Sequence, residues 1–178
     1  MTMEIERFLE GCRKAGSQGG VREVLQEFLS DPAGVMKAIG EPKRAGLDKL
    51  YVGEDLTVLN VIWGPNMTIM PHNHEMWALI GIYTGREDNI FWKRTGSAQP
   101  GVKPVNACTL LEKEVATLGK DIIHSVNNPL GRLTGAIHIY GGQFFTQPRR
   151  EWDPEKLSEG AYSADKTMKL FEDSNRRL

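Results

Sequence analysis

Cysteine is nearly missing from this chain: its 178 residues include two, Cys12 and Cys108. That excludes a disulfide-stapled scaffold. No Cys-x-x-Cys is present, so both thiols read as buried and inert. A charge excess of either sign is missing too. Lysine and arginine number 22 against 23 acids, a net charge of −1. There is no basic surplus for nucleic acid or an anionic membrane, and no acidic tail for a charge-driven partner. Apolar runs break within a few residues, too soon to span a membrane. The first ten residues are amphipathic and charged, unlike a signal peptide, so the expected setting is the cytoplasm. Gly-x-Ser-x-Gly is absent, which leaves Ser125 and Ser158 without a nucleophile's context. The glycines near Gly141 and Gly142 precede no helix, so they are not a phosphate loop. There is no repeat and no low-complexity stretch. What is present is ordinary globular usage, 40% hydrophobic and 25% charged, in a chain long enough for one sizeable core.

Hydrophobic period divides the chain. Ile5, Phe8, Leu9 and Cys12 recur at helical spacing, and Val21, Val24, Leu25, Phe28 and Leu29 repeat the stripe after a Gly16–Gly20 stop. Asp31-Pro32 offers a cap and first-turn proline for a short helix ending at Gly40. From Leu56 the pattern turns to short runs rich in β-branched and aromatic residues: 57–63, 68–74, 78–83, 90–94, 115–118, 122–126 and 134–140. Gly, Pro and Asn punctuate them, as in the stretch from Gly96 to Gly101. Many strands without helices between them predict an antiparallel sandwich or barrel. Helical signals return after Pro148, with Asp153-Pro154 as a turn and Ser163 as the cap of a last helix. The reading is mainly β, one domain over 1–178: helices in 1–46, a barrel in 47–147 and a helical tail in 148–178.

All four histidines fall in the β region. His72 and His74 are two apart, which puts both on one strand face. Two imidazoles make poor core filler and good ligands for zinc, iron, copper or nickel. His124 lies about fifty residues on, and a jelly-roll winding brings such a strand beside the first pair, making three facial ligands. His138 and Tyr140 share a strand face as well. Trp77 is a candidate pocket wall, and Trp63 and Trp92 read as barrel packing.

Together, Trp63-Gly64, Pro71-His72-Asn73-His74-Glu75-Met76-Trp77, His124 with Asn128, and Ala136-Ile137-His138-Ile139-Tyr140 resemble the cupin superfamily, and within it the cysteine dioxygenase-like thiol dioxygenases. The resemblance covers roughly 57–145. It implies a single cupin barrel, a double-stranded β-helix or jelly roll, with N-terminal helices and a C-terminal helix. It implies Fe2+ on His72, His74 and His124, with Zn2+ or Ni2+ possible as isolated, and oxidation of a small thiol carboxylate to its sulfinate with O2. Most cupins add a glutamate ligand four or five residues after His-x-His. Ala78 and Leu79 stand there, which matches the three-histidine site of thiol dioxygenases. The family's Ser-x-His-x-Tyr triad survives as His138 and Tyr140, the catalytic candidates, with Ala136 in the serine place. No cysteine follows His-x-His to crosslink the tyrosine, as in the bacterial branch. Some bacterial members bind the substrate carboxylate through an arginine after the triad, which points to Arg149. A solvated turn at Arg149-Arg150 is the competing reading, with Arg44 and Gln143 as the other carboxylate candidates. Two further readings stay open: another cupin enzyme, such as a different dioxygenase or an isomerase, and a non-enzymatic ligand-sensing cupin. The expected partners are a small thiol and O2, with no nucleic acid and no membrane, and the chain is expected to be a monomer or homodimer.

Overall fold

The structure is a computed structural model describing residues 2–96 and 101–178, so most of the turn expected between Gly96 and Gly101 lies outside the described residues. Three helices come first: α1 (Met3–Lys14), α2 (Gln18–Leu29) and α3 (Pro32–Ile39). Ser17 and Asp31 cap the second and third by accepting from Gly20 N and Gly34 N. Eleven strands follow among the described residues: β1 (Gly46–Val52), β2 (Thr57–Trp63), β3 (Thr68–Asn73), β4 (Ala78–Thr84), β5 (Arg86–Arg94), β6 (Val102–Leu111), β7 (Val115–Leu118), β8 (Ile123–Asn127), β9 (Thr134–Tyr140), β10 (Arg150–Trp152) and β11 (Glu159–Ala161). Helix α4 (Ala164–Asn175) closes the chain, with Ser163 accepting from Lys166 N at its start. Among the described residues no helix is long and apolar enough to cross a membrane.

Every strand pair is antiparallel. One sheet runs β1-β2-β9-β4-β7 and the other β11-β10-β3-β8-β5-β6. From β2 to β10 the chain steps back and forth between the sheets, apart from the β5-β6 hairpin, the winding of a mainly β, cupin-like jelly roll. Between them packs one core, including Leu59, Val61, Trp63, Ile69, Ile80, Ile82, Val126 and Ala136. A second core lies on the outer face of the first sheet. There Val58, Leu79, Tyr83, Ile137 and Ile139 meet Ile5, Phe8, Leu9, Leu25 and Leu29 of the helices.

This two-sided burial explains why β2 and β9 are buried at every residue. A sheet with one wet face alternates apolar and polar, whereas one covered on both faces reads as a continuous apolar run. Gly81 lets α2 come close. A Cβ there would sit 2.4 Å from Leu29 Cδ1 and 3.1 Å from Leu25 Cδ2.

Three expectations need correction. Strand β5 begins at Arg86, not at residue 90, because the charged run Arg86-Glu87-Asp88 hides its period. Strand β6 carries no period-two signal; it is an edge strand, exposed over most of its length. The tail from 148, expected as helical, first adds β10 and β11 to the second sheet, with Glu151 opposite His72. Three-residue strands are too short to show a period. Asp153-Pro154 forms a local turn in which Asp153 Oδ1 accepts from Glu155 N and Lys156 N.

Candidate metal centre

His72 and His124 are cross-strand partners on β3 and β8. Between Ile69 and His72 the register breaks, so three residues of β3 span two of β8. This is a bulge, and Pro71, which has no N–H to give a ladder, lies in it. The bulge changes the parity of the strand. Ile69 and His72, three apart, both line one cavity, together with His74, His124, His138 and Tyr140. Strict alternation would have put Ile69 and His72 on opposite faces.

The ring nitrogens of His72, His74 and His124 include one atom each within 4.8 Å of the others, and all three residues are buried. His74 Nε2 and His124 Nε2 are 2.9 Å apart. Two ligand nitrogens at right angles, with bonds of about 2.1 Å, lie about 3 Å apart, so this spacing suits a shared ion. His72 Nδ1 donates to the Met70 carbonyl at 2.9 Å, and His124 Nδ1 to Asn89 Oδ1 at 2.7 Å. Each leaves Nε2 with a free lone pair, as a ligand imidazole needs. Nδ1 of His74 is buried with no partner.

Burial holds all three imidazoles neutral. It pulls His72 down to about 4, helped by the nearby Arg149 and His138 and opposed by the Met70 carbonyl. His74 and His124 are pulled well below the usual histidine range, again chiefly by burial and then by neighbouring histidines. Three buried neutral nitrogens with two of the Nδ1 atoms tied back form a donor set that fits a divalent transition metal.

His138 and Tyr140 sit beside the cluster. The Tyr140 ring packs 4.9 Å from that of His74, and its hydroxyl is 3.1 Å from His138 Nδ1. Burial raises the Tyr140 hydroxyl far above the ordinary phenol range, so it stays protonated. The other nitrogen of His138, Nε2, faces Glu87 Oε2 at 3.3 Å. Glu87 was not a sequence candidate, because the run Arg86-Glu87-Asp88 lay outside the strands read from the sequence. The available signal was the alternation Glu87, Asn89, Phe91, which on a strand faces inward.

The structure separates the two arginines. Arg150 is exposed and faces Glu159, with 3.6 Å between Nε and Oε1. Arg149 turns inward, its Cζ 4.0 Å from the Phe144 ring centroid and 4.1 Å from that of Tyr162. Its Nε and Nη1 are buried with no hydrogen-bond partner, and burial lowers its pKa. Arg44 instead lies in a groove against α4, and Gln143 does not line the histidine cavity.

Trp77 is not brought to the site. The residues on either side of it, Met76 and Ala78, belong to the inner core, while Trp77 packs with the helix-side core. Its indole fills the space where a Cβ on Gly141 would fall. Asn128, quoted for its place after His124, ties loops instead: its Nδ2 donates to the Gly64 and Arg132 carbonyls and its Oδ1 accepts from Leu130 N.

No family model matches the chain. Among solved structures, it is similar to an RmlC-like cupin family protein with a double-stranded β-helix fold from Methanocaldococcus jannaschii. The identity is 9% over 58% of this chain and 84% of that one, with a TM-score of 0.48. It is also similar to a DMSP lyase from Ruegeria pomeroyi, at 14% identity over 63% of this chain and 53% of that one, TM-score 0.48. A third is oxalate decarboxylase from Bacillus subtilis, at 11% identity over 60% of this chain and 28% of that one, TM-score 0.46. The match thus spans about half of the lyase and under a third of the decarboxylase. The strand winding itself carries the fold description: a cupin-like jelly roll with three buried histidines clustered between its sheets.

Proposed function

We propose that this chain is a metal-dependent cupin dioxygenase that oxidises a small thiol carboxylate, of the cysteine or 3-mercaptopropionate type, to its sulfinate with O2. The observation that carries the reading is one cavity lined by three neutral imidazoles and by an arginine with two unpartnered N–H groups. Fe2+ on His72, His74 and His124 would supply the redox chemistry and the activation of dioxygen.

The other residues bind and orient. A guanidinium meets a carboxylate with charge-assisted hydrogen bonds, and Arg149 has Nε and Nη1 without a partner to offer. Phe144 and Tyr162, stacked on its faces, keep that guanidinium in place and exclude water. Arg149 and Tyr162 also line an outer cavity of ≈ 610 Å³, so the pair forms a partition between it and the histidines. The inner cavity is far smaller, ≈ 40 Å³. A thiol carboxylate therefore leaves its carboxylate at the partition and sends its sulfur inward. His138 and Tyr140 hold a hydroxyl group at the inner end.

That small inner space, with Ala136 in the serine place, also suits a second reading. In it a metal-loaded cupin binds another small acid, either as an enzyme of different chemistry or as a sensor. Arg149→Ala tests the first reading. KM for the carboxylated thiol rises about 10–100-fold, the equivalent of losing a charged hydrogen bond worth about 1.5–3 kcal/mol, while KM for an analogue lacking the carboxylate stays unchanged. Equal responses to both substrates would remove Arg149 from carboxylate recognition.

A further inference from the structure

Glu87 is fully buried on β5, and its two oxygens face three nitrogen groups. Trp63 Nε1 donates to Oε2 at 2.6 Å, and Asn89 Nδ2 donates to Oε1 at 2.9 Å. His138 Nε2 lies 3.3 Å from Oε2. An indole N–H and an amide NH2 can only donate, and a carboxylate only accepts. The polarity of the whole network follows from that.

In one direction, His138 carries its hydrogen on Nε2 and bares Nδ1, so the Tyr140 hydroxyl donates to Nδ1 across 3.1 Å. The Tyr140 oxygen then turns its lone pairs to the cavity. In the other direction, Asn89 spends its NH2 on Glu87, so its Oδ1 points the opposite way, to His124 Nδ1 at 2.7 Å. An amide oxygen only accepts, so His124 carries its hydrogen on Nδ1 and bares Nε2, the atom 2.9 Å from His74 Nε2. Ala136 has no side-chain group to offer His138 a second partner beside Tyr140. Glu87 supplies one from the opposite sheet.

We infer that Glu87 is a positioning residue that sets the tautomers of His124 and His138 together, presenting one as a metal ligand and the other as the acceptor of the Tyr140 proton. Where it concerns ligation, the inference rests on the metal-centre reading. The tautomers themselves do not.

Glutamine at this place cannot do the same work. One side of its amide is NH2, which faces either the Trp63 and His138 donors or the Asn89 donor. If Asn89 flips to adapt, it turns its own NH2 on the His124 N–H. Aspartate keeps two accepting oxygens.

The test is long-range 1H–15N correlation of 15N-histidine-labelled, metal-free protein, followed by titration with Co2+. In the unaltered chain we expect His124 on Nδ1–H and His138 on Nε2–H. Glu87→Gln should move at least one of them to the other tautomer or to a mixture and weaken Co2+ binding about 10–100-fold, the usual effect of losing a partner behind a ligand. Glu87→Asp should keep both tautomers. The opposite tautomer at either histidine of the unaltered chain overturns the inference whether or not the variants fold. So does a folded Glu87→Gln that keeps both tautomers, or a Glu87→Asp that scrambles them as Gln does, since bulk and not polarity would then matter. Expected tautomers with no Co2+ uptake uphold the polarity chain and overturn the metal-centre reading.

Discussion

His72, His74 and His124 are neutral because burial removes the water that would hydrate an imidazolium. Replacing any one by alanine is expected to abolish tight metal binding. Full metal occupancy by elemental analysis in one of these variants would remove that histidine from the ligand set. A ligand must be unprotonated, so protons compete with the metal only near and below the folded pKa. An unperturbed histidine would place that competition near ~6.5. With His72 at about 4 and the other two also lowered, affinity should hold nearly level as pH falls to about 5 and drop only as it approaches about 4. Metal titrations at several pH values check this, and loss centred near ~6.5 would contradict it. Tyr140→Phe removes only a hydroxyl beside the cluster. It should keep the metal and lower turnover by about 10²-fold, and unchanged turnover would return Tyr140 to barrel packing.

Strand by strand, the sheets show what the sequence could and could not reveal. Strands β2, β7 and β9 are bounded as the sequence reading placed them; β2 and β9, covered on both faces, read as apolar runs between turn residues. The helices were legible through their stripes and through Asp31 and Ser163, whereas the Ser17 cap was not read. The facing of His72 and His74 was legible from their spacing, but the bulge that carries Ile69 and His72 to the same side was not, since it is a property of pairing with β8. Glu87 and Asn89 were hidden for a related reason. Charge argues for solvent until folding sets Trp63 and His138 of the opposite sheet, with Asn89 of the same strand, against the carboxylate. Arg149 could not be told from Arg150, because only the stacking of Phe144 and Tyr162 turns one of them inward. Helix packing gives a prediction of its own. Gly81→Val pushes side-chain atoms into Leu29 and Leu25 and should lower stability by about 1–3 kcal/mol in urea unfolding. Metal binding by the folded fraction should be kept, because Gly81 faces the helices and the histidines face the other sheet. An unchanged midpoint would mean that α2 moves freely on the sheet.

Across the molecule, the buried histidines tie stability to pH. An unfolded histidine titrates near ~6.5 and His72 near about 4 in the fold, so between those values the unfolded chain binds protons that the folded chain does not. Stability is therefore complete above ~6.5 and lost as pH falls through that window, by about 3 kcal/mol for His72 alone at its acid end. Urea unfolding of the metal-free protein at pH 7.5, 5.5 and 4.5 would show it, and a flat profile would mean that the histidines are solvated. The same cluster, with Arg149 at its partition, is the basis of the proposed thiol oxygenation. The direct measurement is oxygen consumption by the ferrous-loaded protein with cysteine and with 3-mercaptopropionate, alongside quantitation of the sulfinate. One sulfinate formed per O2 consumed, with at least one of these thiols and with a higher KM for the analogue lacking its carboxylate, is the expected result. Iron-loaded protein that consumes no oxygen with either thiol, or consumes it without forming sulfinate, would contradict the proposed function.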